Sequence, residues 1–202
     1  MWSSFVSFWG MTWSAQPKAT VSLNTGSEKL GPELNTSPEP FGSDQIAACF
    51  ERCFAKTDNT QLRGGASEPF YEPGEPAVIW FRHDYLRSAL HEAAHWCLAG
   101  ASRRKLQDYG YWYSEDDRCA AQQAAFFAVE AKPQAIEKLF CEALSIPFSI
   151  SVDNLSLQLT LDERQQFERR VAQHRQQYLT NGMPIRAQRF VDALQKLVAA
   201  PE

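Results

Sequence analysis

Residues 77–100 read AVIWFRHDYLRSALHEAAHWCLAG, and this stretch carries one strand signal and one helix signal side by side. Ala77 to Phe81 is a short apolar run rich in β-formers, which predicts a buried strand. Asp84 then precedes a segment in which Leu86, Leu90, Ala94 and Leu98 recur every fourth residue. That spacing lays one apolar stripe along a helix, predicted to run to about Leu98 and to stop at Gly100.

Outward from this stretch the signals are mostly helical. Upstream, Ser43 or Asp44 is the expected cap of a helix carrying Ile46, Ala47, Cys49, Phe50, Cys53 and Phe54. Asp58, Asn59, Gly64 and Gly65 break that pattern, and Glu72 to Pro76 reads as a turn-rich loop. Downstream, Gln107 to Ser114 is an aromatic loop with Tyr109, Tyr111, Trp112 and Tyr113. A second long helix is predicted from about Glu115 to Ala131, with Glu115, Asp116 and Asp117 at the positive end of its dipole. Pro133 ends that helix or opens the next, which reaches about Leu144. Phe148 to Val152 is expected as a short strand. Further helices are predicted over about Asp162 to Leu179, stopped at Asn181-Gly182, and over about Ala187 to Val198. The expected fold is a helix-rich α+β single domain, residues 41–202, with a small sheet and the 84–98 helix packed on the second long helix.

Residues 1–40 are expected to form a poorly ordered tail. Ser14 to Pro40 is rich in Ser, Thr, Pro, Gly and Asn and cannot bury enough surface to offset its ordering entropy. Met1 to Trp13 is aromatic but lacks a basic leader and a continuous apolar core, so export is not expected. The chain has 202 residues, a net charge of -4 and 44% hydrophobic residues, which suits one globular domain and argues against a nucleic-acid binder. No run approaches the roughly 20 apolar residues of a spanning helix. The five cysteines are an odd number without a CxxC pair, which speaks against a disulfide framework and for a cytoplasmic location. Cys49 and Cys53 share a helix face, where small core residues are the ordinary reading and a metal pair the alternative.

His91-Glu92-Ala93-Ala94-His95 is an HExxH motif. Positions four apart on a helix lie one turn apart on one face, so two imidazoles there can converge on one ion. A mononuclear site wants a third protein ligand. His83 is too close in sequence, and His174 sits among Gln and Arg residues. Glu130 stands in the apolar run Ala124 to Val129, where a carboxylate is costly unless paired or coordinated. Its ordinary reading is the solvated end of a helix. Two imidazoles and one carboxylate serve two chemistries. With Zn²⁺ they make a hydrolase in which Glu92 takes a proton from water. With Fe(II) they make a triad that activates O₂.

The segments HEAAHWCLAG (91–100), RRKLQDYGYWY (103–113), VEAKPQA (129–135), SVDNLSL (151–157) and YLTNGMPIRAQRF (178–190) resemble the elongation factor P hydroxylase family. The resemblance covers roughly residues 42–198. It implies a metal-dependent hydroxylase, monooxygenase-like, acting on the β-lysylated lysine of elongation factor P, a bacterial translation factor. It implies a non-haem metal, Fe(II) before Zn, with O₂ as co-substrate, held by His91, His95 and Glu130, with Asp116 in reserve. Glu92 would then orient the ligands or handle a proton. Tyr111, Trp112, Tyr113 and Arg118 could line the substrate mouth or simply fill the core, and Asp116 or Asp117 could meet a cationic substrate arm. The implied partner is a folded protein, with no nucleic acid and no membrane. Between Leu161 and Phe190 six Arg face three acidic residues, a patch that could meet an acidic partner but reads first as a solvated helix face. The competing readings are an HExxH zinc metallopeptidase and, more weakly, a binding module with a structural metal.

Overall fold

The computed structural model describes residues 40–110, 120–151 and 160–199, with side chains from residue 126 onward in the second block. Helix α1 (Ser43–Phe54) comes first. Strands β1 (Thr60–Ala66), β2 (Phe70–Glu72) and β3 (Ala77–Arg82) follow, then helix α2 (Leu86–Leu98). Two short 3-10 turns, Arg103–Lys105 and Gln107–Gly110, lead to helices α3 (Ala120–Ala143), α4 (Leu161–Asn181) and α5 (Ile185–Ala199). This is the expected helix-rich α+β fold with one small sheet.

The sheet differs from expectation in its extent. Its order is β1-β3-β2, with β1 parallel and β2 antiparallel to β3. The glycines that read as breakers lie inside β1. The register between β1 and β3 slips between Arg63 and Ala66, so Gly64 and Gly65 form a bulge. A Cβ on Gly64 would lie 2.5 Å from the His83 carbonyl oxygen and 2.7 Å from the Phe81 ring, which only glycine avoids. Gly65 has φ +99, and its N–H donates to that same carbonyl at 2.7 Å. In β3 the side chains of Ala77, Ile79 and Phe81 are buried, and Trp80 on the other face stacks on Phe70 with centroids 5.8 Å apart.

Three further expectations need correction. Gly42, not Ser43 or Asp44, caps α1, and its N–H donates to the Gln45 side chain at 2.9 Å. Helix α2 ends at Leu98 as expected, with Ala99 already extended, ψ 121, one residue before Gly100. Pro133 interrupts nothing: α3 is continuous through it. Proline forfeits the bond to the carbonyl four residues back. That carbonyl belongs to Val129, a partly exposed position, and the helix is held on both sides by burial of Ala131, Ala135 and Ile136. Finally, residues 148–151 are not a strand. Their backbone is taken up by side chains instead: Arg87 donates to the carbonyls of Pro147 and Ser149, and Gln134 bonds both the N–H and the carbonyl of Ser151. The beginning of the predicted 115–131 helix and Val152 lie outside the described residues.

The main core gathers α1, the sheet, α2, α3 and α5. Phe50 meets Trp96 edge-on at 5.1 Å and Phe190 at 5.5 Å, and Phe140 closes on Phe190 at 5.0 Å. Full burial of each such phenylalanine contributes about 1.5–3 kcal/mol. A smaller cluster of Phe126, Phe127, Phe167 and Val171 joins α3 to α4. Arg186 of α5 donates to the carbonyls of Trp96, Cys97 and Ala99, which satisfies the open C-terminal end of α2. Its guanidinium also lies over the Trp96 ring at 4.7 Å. Helix α2 is thereby pinned along one side and at one end.

Candidate metal centre

Helix α2 turns Ala89, Leu90, Ala93, Ala94, Trp96 and Cys97 into the core. Arg87, His91 and His95, spaced i, i+4 and i+8, fall on another face, which looks at α3. Among the described side chains of α3 the buried polar residues are Glu130, Gln134 and Glu137, spaced i, i+4 and i+7 along one stripe. Arg87 meets Glu137 while His95 meets Glu130, so the two helices run antiparallel where the stripes touch.

Three atoms converge there. His91 Nε2 and His95 Nε2 are 3.1 Å apart. Glu130 places Oε1 at 3.4 Å from His95 Nε2 and Oε2 at 3.6 Å from His91 Nε2. Ligand atoms that each sit about 2 Å from one ion lie roughly 3 Å from one another. His91, His95 and Glu130 are the one group of three potential ligands found among the described residues. Two further observations fit an ion. Glu130 Oε2 is buried without a hydrogen-bond partner, a costly state that a cation relieves. His91 Nδ1 faces Glu137 Oε2 at 2.9 Å, so its Nε2 is free to offer a lone pair. The imidazoles keep 15% and 17% exposure against 3% for Glu130.

The electrostatics follow the geometry. Burial alone lowers the His91 pKa, but the Glu137 hydrogen bond and the charges of Glu137, Glu130 and Glu92 raise it well above the ordinary imidazole range. His95 shows the same contest: burial lowers it, and Glu130 carries it upward. Burial pushes the Glu130 carboxyl up, and the two imidazoles more than offset this, leaving it at about 2.

Glu92 is half-buried beside the pair, and its charge reaches His91, His95 and the buried Tyr109 hydroxyl. His83 is exposed and His174 bonds Gln177, so neither joins the group. Asp116, Asp117, Tyr111, Trp112, Tyr113 and Arg118 lie outside the described residues. The basic stretch 161–190 is largely spent internally: Arg164 pairs with Glu168, Arg175 with Glu142, and Arg186 and Arg189 hold backbone carbonyls. Sequence reasoning passed over Arg87 and Glu137. Their signal was available as spacing, since Arg87 stands four residues before His91 and Glu137 seven after Glu130.

The profile of a family described as elongation factor P hydroxylase matches residues 49–202. The elongation factor P lysine hydroxylase of Haemophilus influenzae is 39% identical over 155 residues, which are 75% of this chain and 86% of that protein. With a family match over most of its length and a relative of that identity, the chain belongs to the elongation factor P hydroxylase family and is an enzyme of the hydroxylase kind.

Proposed function

We propose that this chain is a metal-dependent protein hydroxylase that adds one oxygen atom to the β-lysylated lysine of elongation factor P. The observation that carries the reading is the convergence of His91, His95 and Glu130 from two helices in a chain of this family. Two imidazoles and one carboxylate with open positions suit Fe(II), which supplies O₂ activation when bound, and they would also accept Zn.

The chain's own residues do the rest. Once deprotonated, His91 and His95 would offer their Nε2 lone pairs to the ion from successive turns of α2, and Glu130 would close the third side from α3. Packing of α2 on α3 holds the histidines and the carboxylate near one another, and the sheet and α5 back α2. Glu92, the proposed catalytic carboxylate, handles a proton or orients the ligands from the half-buried flank of the pair. The partner is the β-lysylated factor docking as a folded protein. Nucleic acid and membrane have no role on this reading, and the place of action is the cytoplasm. Among the described residues no helix is long and apolar enough to cross a membrane.

The test is the intact mass of β-lysylated elongation factor P, incubated without air with this protein, Fe(II) and a reductant, then exposed to air. A gain of one oxygen atom is expected only with air, metal and intact His91. No gain, joined to cleavage of a peptide library by the zinc-loaded protein, would replace the hydroxylase with a metallopeptidase.

A further inference from the structure

The Glu137 carboxylate is divided between two partners. Its Oε1 accepts from Arg87 Nε at 3.0 Å and from Arg87 Nη2 at 2.6 Å. Its Oε2 accepts from His91 Nδ1 at 2.9 Å. The group is only 3% exposed, so its charge must be answered within the protein. Arg87 could answer it with both forks on both oxygens, the usual bidentate arrangement. Instead both donors fall on one oxygen, and the other is left for the imidazole. Arg87 itself is fixed from a second direction by the carbonyls of Pro147 and Ser149 and by the Phe148 ring, 5.1 Å from its guanidinium. The chain of contacts runs from the 147–149 segment through Arg87 and Glu137 to His91.

We propose that Glu137, held by Arg87, is a positioning residue that locks His91 with its proton on Nδ1 and its Nε2 lone pair aimed at the ion. An imidazole has two nitrogens and a freely rotating stem, so without this partner His91 can flip or place its proton on Nε2 and lose its ligand atom. His95 has no such carboxylate behind it among the contacts described. Among the described residues, His91 is the histidine of the pair whose outer nitrogen is held by a carboxylate. The inference rests on the reading of His91, His95 and Glu130 as a metal site.

The experiment measures Zn(II) affinity of the full chain by competition with a chromophoric chelator, together with the proton spectrum of the zinc-bound protein. In the parent, a slowly exchanging imidazole N–H proton of His91 is expected downfield, assigned by its loss in His91→Ala. Glu137→Ala is expected to lose that proton and to weaken Zn(II) by about 10–100-fold, the usual effect of removing a ligand's outer partner. Glu137→Gln keeps a neutral acceptor for the Nδ1 proton, so it should retain the resonance and weaken binding less than the alanine variant. A purely structural ion pair would lower the melting temperature but leave the resonance and the order of affinities unmoved. If Glu137→Ala does not fold, Glu137→Gln and Arg87→Lys decide, because both keep a polar group in place. Variants binding within twofold of the parent, with the proton unchanged, overturn the inference. A parent that binds no Zn(II) or Co(II) overturns the metal-site reading itself.

Discussion

At the scale of single residues, one carboxylate divides the possible ligand sets. Glu130 lies 3.4 and 3.6 Å from the two imidazoles and has a buried oxygen with no hydrogen-bond partner. Glu130→Ala is expected to weaken Zn(II) binding by more than the about 10–100-fold typical of losing a ligand's outer partner. Asp116→Ala is expected to leave it unchanged, and calorimetric titration of the two variants checks both. The reverse pattern would transfer the third ligand to Asp116. The histidines were legible in the sequence because their spacing is dictated by the helix period. Glu130 was legible because a charge inside an apolar run needs an explanation. Glu137 was marked in the sequence only by standing seven residues after Glu130, and it is the packing of α3 on α2 that shows it turned inward.

Among the elements, the helices followed from pattern and the sheet did not. β3 was legible as five apolar residues in a row. β1 was hidden because its two glycines carry turn statistics, while their actual task is to let β1 approach the His83 carbonyl across a bulge. Gly64→Ala would set a methyl 2.5 Å from backbone, which has no flexible end to swing away. The variant is expected to lose about 1–3 kcal/mol of stability, as overpacked sites do, read as a lower denaturation midpoint with an unchanged slope. A midpoint equal to the parent's would mean that the bulge rearranges freely. The 148–151 segment misled for the opposite reason. Phe148 and Ile150 alternate as in a strand, but side chains of α2 and α3 have claimed its backbone groups. Pattern shows which residues want burial, not which partner reaches them first.

For the molecule as a whole, two of the proposed ligands, His95 and Glu130, stand 35 positions apart in the chain on different helices. They meet only when α2 and α3 have docked across the core. The raised pKa values of His91 and His95 mean that, without an ion, protons occupy the nitrogens that an ion would take. Binding must expel those protons, so affinity should rise with pH up to those raised values and fall as the medium is acidified. The Glu130 carboxyl, at about 2, stays ionised throughout the neutral range and adds nothing to this competition. Proton release on titrating Zn(II) into weakly buffered protein checks the sign: uptake, or no change, would contradict it.

Because the unfolded chain scatters these ligands, an ion that prefers the assembled site also acts as a thermodynamic latch. At a hundredfold excess over its dissociation constant it would add about 2.7 kcal/mol to the free energy of unfolding. The population that survives heat or proteolysis would then be the population already charged with metal, and a cell short of the ion would lose enzyme molecules as well as turnover.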